Sequence, residues 1–459
     1  LYQRILHFSR RPFIRNVVTV ASGTAAAQAI SMIFAPLITR LYGPEAYGLQ
    51  GVFMSVGGIM GAIGGMTYPL AIVLPRSDSD AIGLVWLSIY LSGAMAVLAA
   101  IIFYFFGAEA LVLLNAEKIS AYIYLLPVFM FITVLSTVLG QWFYRKKIFG
   151  LNAKVMVGQM LIVNMIKTGL GFLHPSAAAL IATNTFGGLL GSVMMLLGLF
   201  KTSKTAQKEI DDLHKTVRKN QRAPKGTRKA RRKSQKAAKG SKIKSSIWVL
   251  AKVHRDFPLL RAPQLLLNTI SQSLPVMMLT TYFGSSSAGF YSIAVTVLGI
   301  PIGLIGNSIM PVFYSRINEA IHRGEDVRAL IIKATIGLAL SGALPFGIVI
   351  IAGPTLFGYV FGNEWRTAGV YAQWLSIWLF FQHINRPAVS AIPPLRLQRG
   401  LLIYELFSTG TKVLALYIGF VHFQSDVYSV ALFSIFGMVA YIWLILWVII
   451  RSNKLVDQS

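Results

Sequence analysis

AIGLVWLSIYLSGAMAVLAAIIFYFF, residues 81–106, contains no Asp, Glu, Lys or Arg. A helix needs about twenty apolar residues to cross the hydrocarbon of a bilayer, and this stretch exceeds that length. Working outward, runs of similar character recur near 17–41, 48–74, 119–143, 154–174, 177–200, 262–283, 288–313, 329–352, 367–390, 401–422 and 427–450. The spacing predicts an all-α polytopic membrane protein of twelve spans. The composition agrees: of 459 residues, 55% are hydrophobic and 13% charged, about half the charge of a soluble domain. An ordinary soluble enzyme is excluded. The chain starts at Leu1, and its first apolar run is long enough to read as a retained helix rather than a cleaved signal.

The formal charge of +27 would suggest nucleic acid on a soluble surface, but its placement gives another meaning. Between Lys201 and Lys244 lie seventeen Lys and Arg against Glu209, Asp211 and Asp212. Cations also mark every second loop: Arg4, Arg10, Arg11 and Arg15, then Arg145, Lys146 and Lys147, then Arg316, Arg323 and Arg328, then Arg396 and Arg399, then Arg451 and Lys454. The loops near Gly43, Glu109, Pro175, Ser286, Glu364 and Asp426 carry few. By the positive-inside rule both termini are cytoplasmic. Trp86, Trp142, Trp248, Trp365 and Trp447 fall near predicted helix ends, as interfacial anchors do, whereas Trp374 and Trp378 fit packing inside a bundle. The loop containing Arg228, Lys229, Arg231, Arg232 and Lys233 reads as disordered and lying against anionic lipid, with no nucleic-acid partner.

The chain repeats itself once. Tyr42-Gly43 followed after four residues by Gly48 matches Phe283-Gly284 followed after four by Gly289. Lys154 precedes Lys167 by the same interval that separates Arg399 from Lys412. Two six-helix bundles in parallel repeat are expected, 1–204 and 248–459, joined by the basic loop 205–247, with a central cavity between them.

The strings Leu41-Tyr42-Gly43-Pro44-Glu45-Ala46-Tyr47-Gly48, Gln141-Trp142-Phe143-Tyr144-Arg145-Lys146-Lys147, and Phe257-Pro258 leading to Asn268, Ser271, Gln272, Ser273, Leu274 and Pro275 carry a resemblance. The chain resembles the polysaccharide-unit (O-antigen or capsule repeat) flippases of the multidrug/oligosaccharidyl-lipid/polysaccharide exporter superfamily. The resemblance implies a cationic cavity that passes an undecaprenyl-diphosphate-linked oligosaccharide from the cytoplasmic to the periplasmic leaflet of a bacterial inner membrane. A polysaccharide polymerase and a chain-length regulator are the implied partners. The loop 201–247 is longer and more basic than that pattern, so no role carries over to it.

An ion inside a span costs about 2.5–3.5 kcal/mol on insertion scales, which makes each one a functional candidate. Lys167 and Lys412 lie roughly halfway along their spans at matching places in the repeat, and two ammonium groups facing one cavity suit a diphosphate. The plainer reading is a pair of neutralised or inter-helix-bonded lysines. Glu405 shares a helix face with Lys412 two turns away, as an ion-coupling carboxylate or as an interfacial one wetted by water. Arg386, beside His383 and Asn385, meets a phosphate on loading or anchors to lipid headgroups. Thr24, Gln28 and Ser31, and Gln264, Asn268 and Gln272, form polar stripes that line a cavity or join helices. Pro275, Pro301 and Pro345 are candidate kinks. With no cysteine, P-loop, metal cluster or nucleophile triad, neither cofactor, metal nor enzymatic activity is expected. Two alternatives remain: a multidrug or cation antiporter, which calls for acidic cavity walls, and a membrane polymerase or ligase, which calls for a sizeable periplasmic loop.

Overall fold

The computed structural model describes residues 12–113, 117–220, 246–395 and 397–454, all helix and connecting turns with no strand among them. Arg4, Arg10, Arg11, Arg396 and the run 228–233 lie outside the described residues. The first helix, α1 (Pro12–Gly64), is broken into two arms at Gly43 (φ 70°, ψ 172°). After it come α2 (Tyr68–Ala71), α3 (Asp78–Leu113), α4 (Leu125–Lys146), α5 (Phe149–Leu173), α6 (Ala177–Asn220) and α7 (Ile247–Val253). The rest comprises α8 (Ala262–Phe283), α9 (Ser285–His322), α10 (Val327–Phe361), α11 (Arg366–Ile384), α12 (Arg386–Ala391), α13 (Gln398–Phe423) and α14 (Asp426–Lys454). With the two arms of α1 counted apart and α12 continuing α11, twelve long segments stand where the sequence places spans.

Nine of the described helices are long and apolar enough to cross a membrane by length and composition, α1 counting once for two arms. The remaining long segments, α8 and α11, fall short because amides and hydroxyls interrupt them: Gln264, Asn268, Ser271, Gln272 and Ser273 in one, Gln373, Ser376 and Gln382 in the other. Helices polar in this way within a bundle must turn that polarity inward. The protein is therefore a polytopic helical membrane protein whose polar spans face its interior.

Boundaries differ from expectation most at two places. The second arm of α1 ends at Gly64, ten residues early, because the chain turns through positive φ at Met66 and Thr67. At the end of the sixth span, α6 runs as helix to Asn220, into the stretch read as disordered loop. Residues 221–245 lie outside the described set.

The repeat is visible in the backbone. Gly284 takes φ 88° and ψ 171°, the same region as Gly43, so both turns use a conformation that only glycine adopts without strain. We refer to this side as the turn face and the other, carrying Arg145, Arg323 and Arg451, as the basic face. One apolar core crosses both halves toward the turn face, from Val52 and Phe53 through Tyr291 and Phe346 to Trp365, Tyr371 and Phe433. Toward the basic face it divides. Ile317, Ile331, Ile384 and Leu444 form a cluster in the second half, while Tyr68, Ile72, Leu84, Val138 and Leu250 form another on the first. A core shared at one end and split at the other leaves space between the halves.

At the basic face Arg145 holds the turn after α2. It donates to the carbonyls of Ile72 (3.2 Å) and Pro75 (2.7 Å) and pairs with Asp78 (3.0 Å), which also accepts from Lys146 (2.5 Å). The Gln-Trp-Phe-Tyr-Arg-Lys-Lys string is thus partly a structural clasp. Trp365 departs from the interfacial reading: it is 1% exposed and belongs to the core.

Candidate functional site

Contacts between the halves concentrate at the turn face. Arg40 Nη2 donates to the carbonyls of Tyr359 (2.7 Å) and Val360 (3.2 Å), and the Trp365 indole N–H donates to the Thr39 carbonyl (3.2 Å). Tyr47 meets the Trp365 ring edge-on at 5.3 Å. Gly48 and Gly289 pack reciprocally: a β-carbon on Gly48 would strike the Ser285 carbonyl, and one on Gly289 the Pro44 carbonyl. Backbones approach this closely only where neither residue has a side chain. These contacts form a seal.

Toward the basic face from the seal, a cavity of about 790 Å³ separates the halves. Lys167 from α5 and Lys412 from α13 both line it, together with Asn268 and Gln272 from α8. Asn164, Asn184, Gln50 and Gln382 add amides, and Tyr291, Trp378, Phe433 and Tyr441 add aromatic surface. No Asp or Glu lines it among the described residues. The Lys412 ammonium stands over the Trp378 ring at 5.6 Å and the Phe433 ring at 6.0 Å, so ring quadrupoles partly replace its hydration.

A second chamber of about 440 Å³ adjoins this cavity within the C-terminal half, sharing Asn268, Gln272, Gln382, Tyr441 and Lys412 as common wall. Arg386 and Glu405 line it with Asn385, Tyr404, Ser408 and Thr409. Among the described residues no ion pair joins Glu405 to Lys412 or Arg386. Arg386 Nε and Asn385 Oδ1 are buried without a hydrogen-bond partner, as is His383 Nδ1 beside them, although His383 Nε2 lies 3.4 Å from Ser341 Oγ. Unsatisfied polar atoms of this kind need explanation, and an open polar chamber is where a ligand or water would supply the partner.

The structure thus brings Lys167, Lys412, Asn268 and Gln272 to one cavity and Arg386, Glu405 and Lys412 to the adjoining chamber. Gln28 is not with them. It is half-buried, with its amide near Gly303 of α9, and packs the two helices instead of lining the cavity. Of its stripe only Ser31 reaches the cavity, while Thr24 bonds back to the Val20 carbonyl. Gln264 accepts from Arg261 (3.0 Å) outside it.

Lys412 lies near the middle of its helix as expected, whereas Lys167 lies toward the turn-face end of its own. Lys167 stands six residues before Leu173 and Lys412 eleven before Phe423, which places them roughly 9 Å and 16 Å from the turn-face ends of their helices. Sequence reading passed over Asn164, although it lies three residues before Lys167 and so on the same helix face. Asn184 and Tyr441 carried no comparable signal.

The second half supplies the match to a known family model, "Polysaccharide biosynthesis protein", over residues 260–369. The succinoglycan biosynthesis transport protein ExoT of Rhizobium meliloti (strain 1021) is 20% identical over 361 residues, 77% of this chain. The chain spans 63% of that relative's length. Among solved structures, the lipid II flippase MurJ in an inward closed conformation superposes with a TM-score of 0.68 at 12% identity, over 96% of this chain and 90% of that one. An outward-facing multidrug resistance MATE family transporter gives 0.58 at 14% identity, over 96% of each chain. At such identities the structures speak for the fold alone. Fold, family match and relative agree with the motifs: the chain matches a polysaccharide biosynthesis family over residues 260–369 and has, over nearly its whole length, the fold that the MurJ flippase and the MATE transporters share.

Proposed function

We propose that the chain moves an undecaprenyl-diphosphate-linked oligosaccharide from the cytoplasmic to the periplasmic leaflet of a bacterial inner membrane, for surface polysaccharide. The observation that carries this reading is the convergence of Lys167 and Lys412, one from each half, on a cavity whose described lining has no carboxylate. Two point charges in low dielectric attract a diphosphate strongly, and the surrounding amides and aromatic faces suit sugars without demanding one sugar. The same sign disfavours a cationic drug, which is held by acidic and aromatic walls. Both termini are cytoplasmic in this reading, so the cavity, split toward the basic face and sealed at the turn face, is loaded from the cytoplasm. Arg386 and Glu405 stand nearest the entrance, as a phosphate contact and as the carboxylate whose charge varies with the coupling ion. A polymerase and a chain-length regulator receive the product on the far side.

The test is surface polysaccharide in cells, and flipping of the lipid-linked oligosaccharide in proteoliposomes, for Lys167→Gln, Lys412→Gln and the double variant. Both readouts are expected to be lost in the double variant at normal membrane level. Unchanged polysaccharide would remove the lysines from the mechanism.

A further inference from the structure

Between the basic loop and α8 lies a segment that the transport reading leaves without a task. Residues 246–261 comprise α7, a turn, and the π-helical stretch Phe257–Arg261 that runs directly into α8. The segment belongs by sequence to the approach of the second half, yet it is bound to the first. Leu250, 5% exposed, fills a notch over Gly83 of α3, where a β-carbon would strike it, and joins the cluster of Tyr68, Ile72 and Leu84. The Tyr68 hydroxyl donates to the Ala251 carbonyl (3.1 Å) and the Thr67 hydroxyl to the Phe257 carbonyl (3.0 Å). The outer surface is apolar and unpartnered: Trp248 is 79% exposed, and Val249, Val253, Leu259 and Leu260 are exposed with it. Lys252, Arg255 and Arg261 are exposed on the same segment.

Continuity with α8 places this surface at the end of a membrane span, where headgroups begin. Apolar side chains interleaved with cations at that level fit the boundary between acyl chains and anionic headgroups. We propose that residues 246–261 form a strap seated in one leaflet, its apolar side chains in the acyl edge and its three cations on anionic headgroups, clasped to the N-terminal half through Leu250. The bilayer surface is thereby a binding partner of the linker between the halves, and the strap fixes the first half to the leaflet. The second half is free to move about Phe257–Arg261, whose π-helical turn, with Pro258 inside it and Pro263 just after it, interrupts the regular helix.

The chain has no cysteine, so a single one can be placed without background. Val253→Cys, carrying a polarity-sensitive dye, is reconstituted in vesicles of phosphatidylcholine alone or mixed with phosphatidylglycerol. A water-borne collisional quencher is added, with Arg323→Cys in the 322–326 turn as the water-exposed reference. The expected result is a blue-shifted emission and quenching several-fold weaker than at the reference, weaker still with phosphatidylglycerol. The phosphatidylglycerol increment should shrink at high salt and in Lys252→Gln. Leu250→Asp should keep the dye shielded while raising its rotational mobility. Quenching equal to the reference overturns the proposal. So does shielding that disappears when the chain is diluted to one copy per vesicle, since a second copy would then be the covering surface. The readout does not involve cargo, so its failure leaves the transport reading standing, and the reverse holds as well.

Discussion

A methyl group at the seal should open it. Gly48 and Gly289 meet backbone to backbone, and the atoms in the way of a β-carbon are the carbonyls of Ser285 and Pro44 in the opposite repeat. A flexible side chain could swing aside; a carbonyl at the start of a helix cannot, so relief requires the halves to part at the turn face. Overpacking of a tight contact costs about 1–3 kcal/mol, and the rigid obstacle argues for the upper half of that range. If the sealed conformation alone bears this cost, about 2.7 kcal/mol moves its population against an open one by roughly a hundredfold. Gly48→Ala or Gly289→Ala should therefore expose the cavity to the turn face. Ser31→Cys, on the cavity wall, reports this by its reaction with a membrane-impermeant maleimide applied from that side. Gly93→Ala is the control, since a β-carbon there meets nothing within 4 Å. A folded Gly48→Ala protein labelling no faster than the control would refute the assignment of this contact as the seal.

Further consequences concern the basic face. Arg145→Ala orphans the carbonyls of Ile72 and Pro75 and releases Asp78, a loss of about 2–3 kcal/mol that should appear as a lower melting temperature in detergent. Asp326 caps α10 by accepting from the Ala329 N–H (3.0 Å); Asp326→Ala should cost about 1 kcal/mol in the same assay, and Asp326→Asn much less. The Arg316 guanidinium holds the Glu325 carboxyl below the usual carboxylate range. A depressed folded value stabilises above the unfolded one and is lost as pH falls through the folded one. Hydrogen exchange in the 322–326 turn should accordingly rise as pH drops below the ordinary carboxylate range, and Glu325→Gln should abolish that rise.

The number and order of spans were legible because hydrophobic length is a local property: each run carries its own signal whatever its neighbours do. The repeat was legible for a related reason, since Gly43 and Gly284 answer to a backbone requirement rather than to a partner. What the residues could not disclose was facing. Gln28 and Asn268 are both amides on polar stripes, yet one packs against Gly303 and the other lines the cavity; the difference depends on rotation of each helix within the bundle, which no single helix encodes. Trp365 misled in the same way, because a tryptophan at a helix end suits a headgroup and a packed seal equally well. The polarity of α8 and α11 was the underused signal, as a span too polar for lipid must face something else.

The placement of the two lysines in different halves bears on how the proposed carrier could release what it binds. Each ammonium is costly to keep within the span, and no ion pair to either is seen among the described residues, so an anion entering the cavity gains from relieving that cost. Lys412 lines both the chamber that holds Arg386 and the cavity between the halves, whereas Lys167 lines the cavity alone. In the proposed route an anion arriving past Arg386 would meet Lys412 first and gain Lys167 only on entering the cavity, so attraction would rise along the path instead of peaking at the mouth. Passage requires binding strong enough to admit and weak enough to let go. Because the lysines belong to different halves, any parting of the halves at the turn face changes their separation and weakens the joint hold as the exit opens.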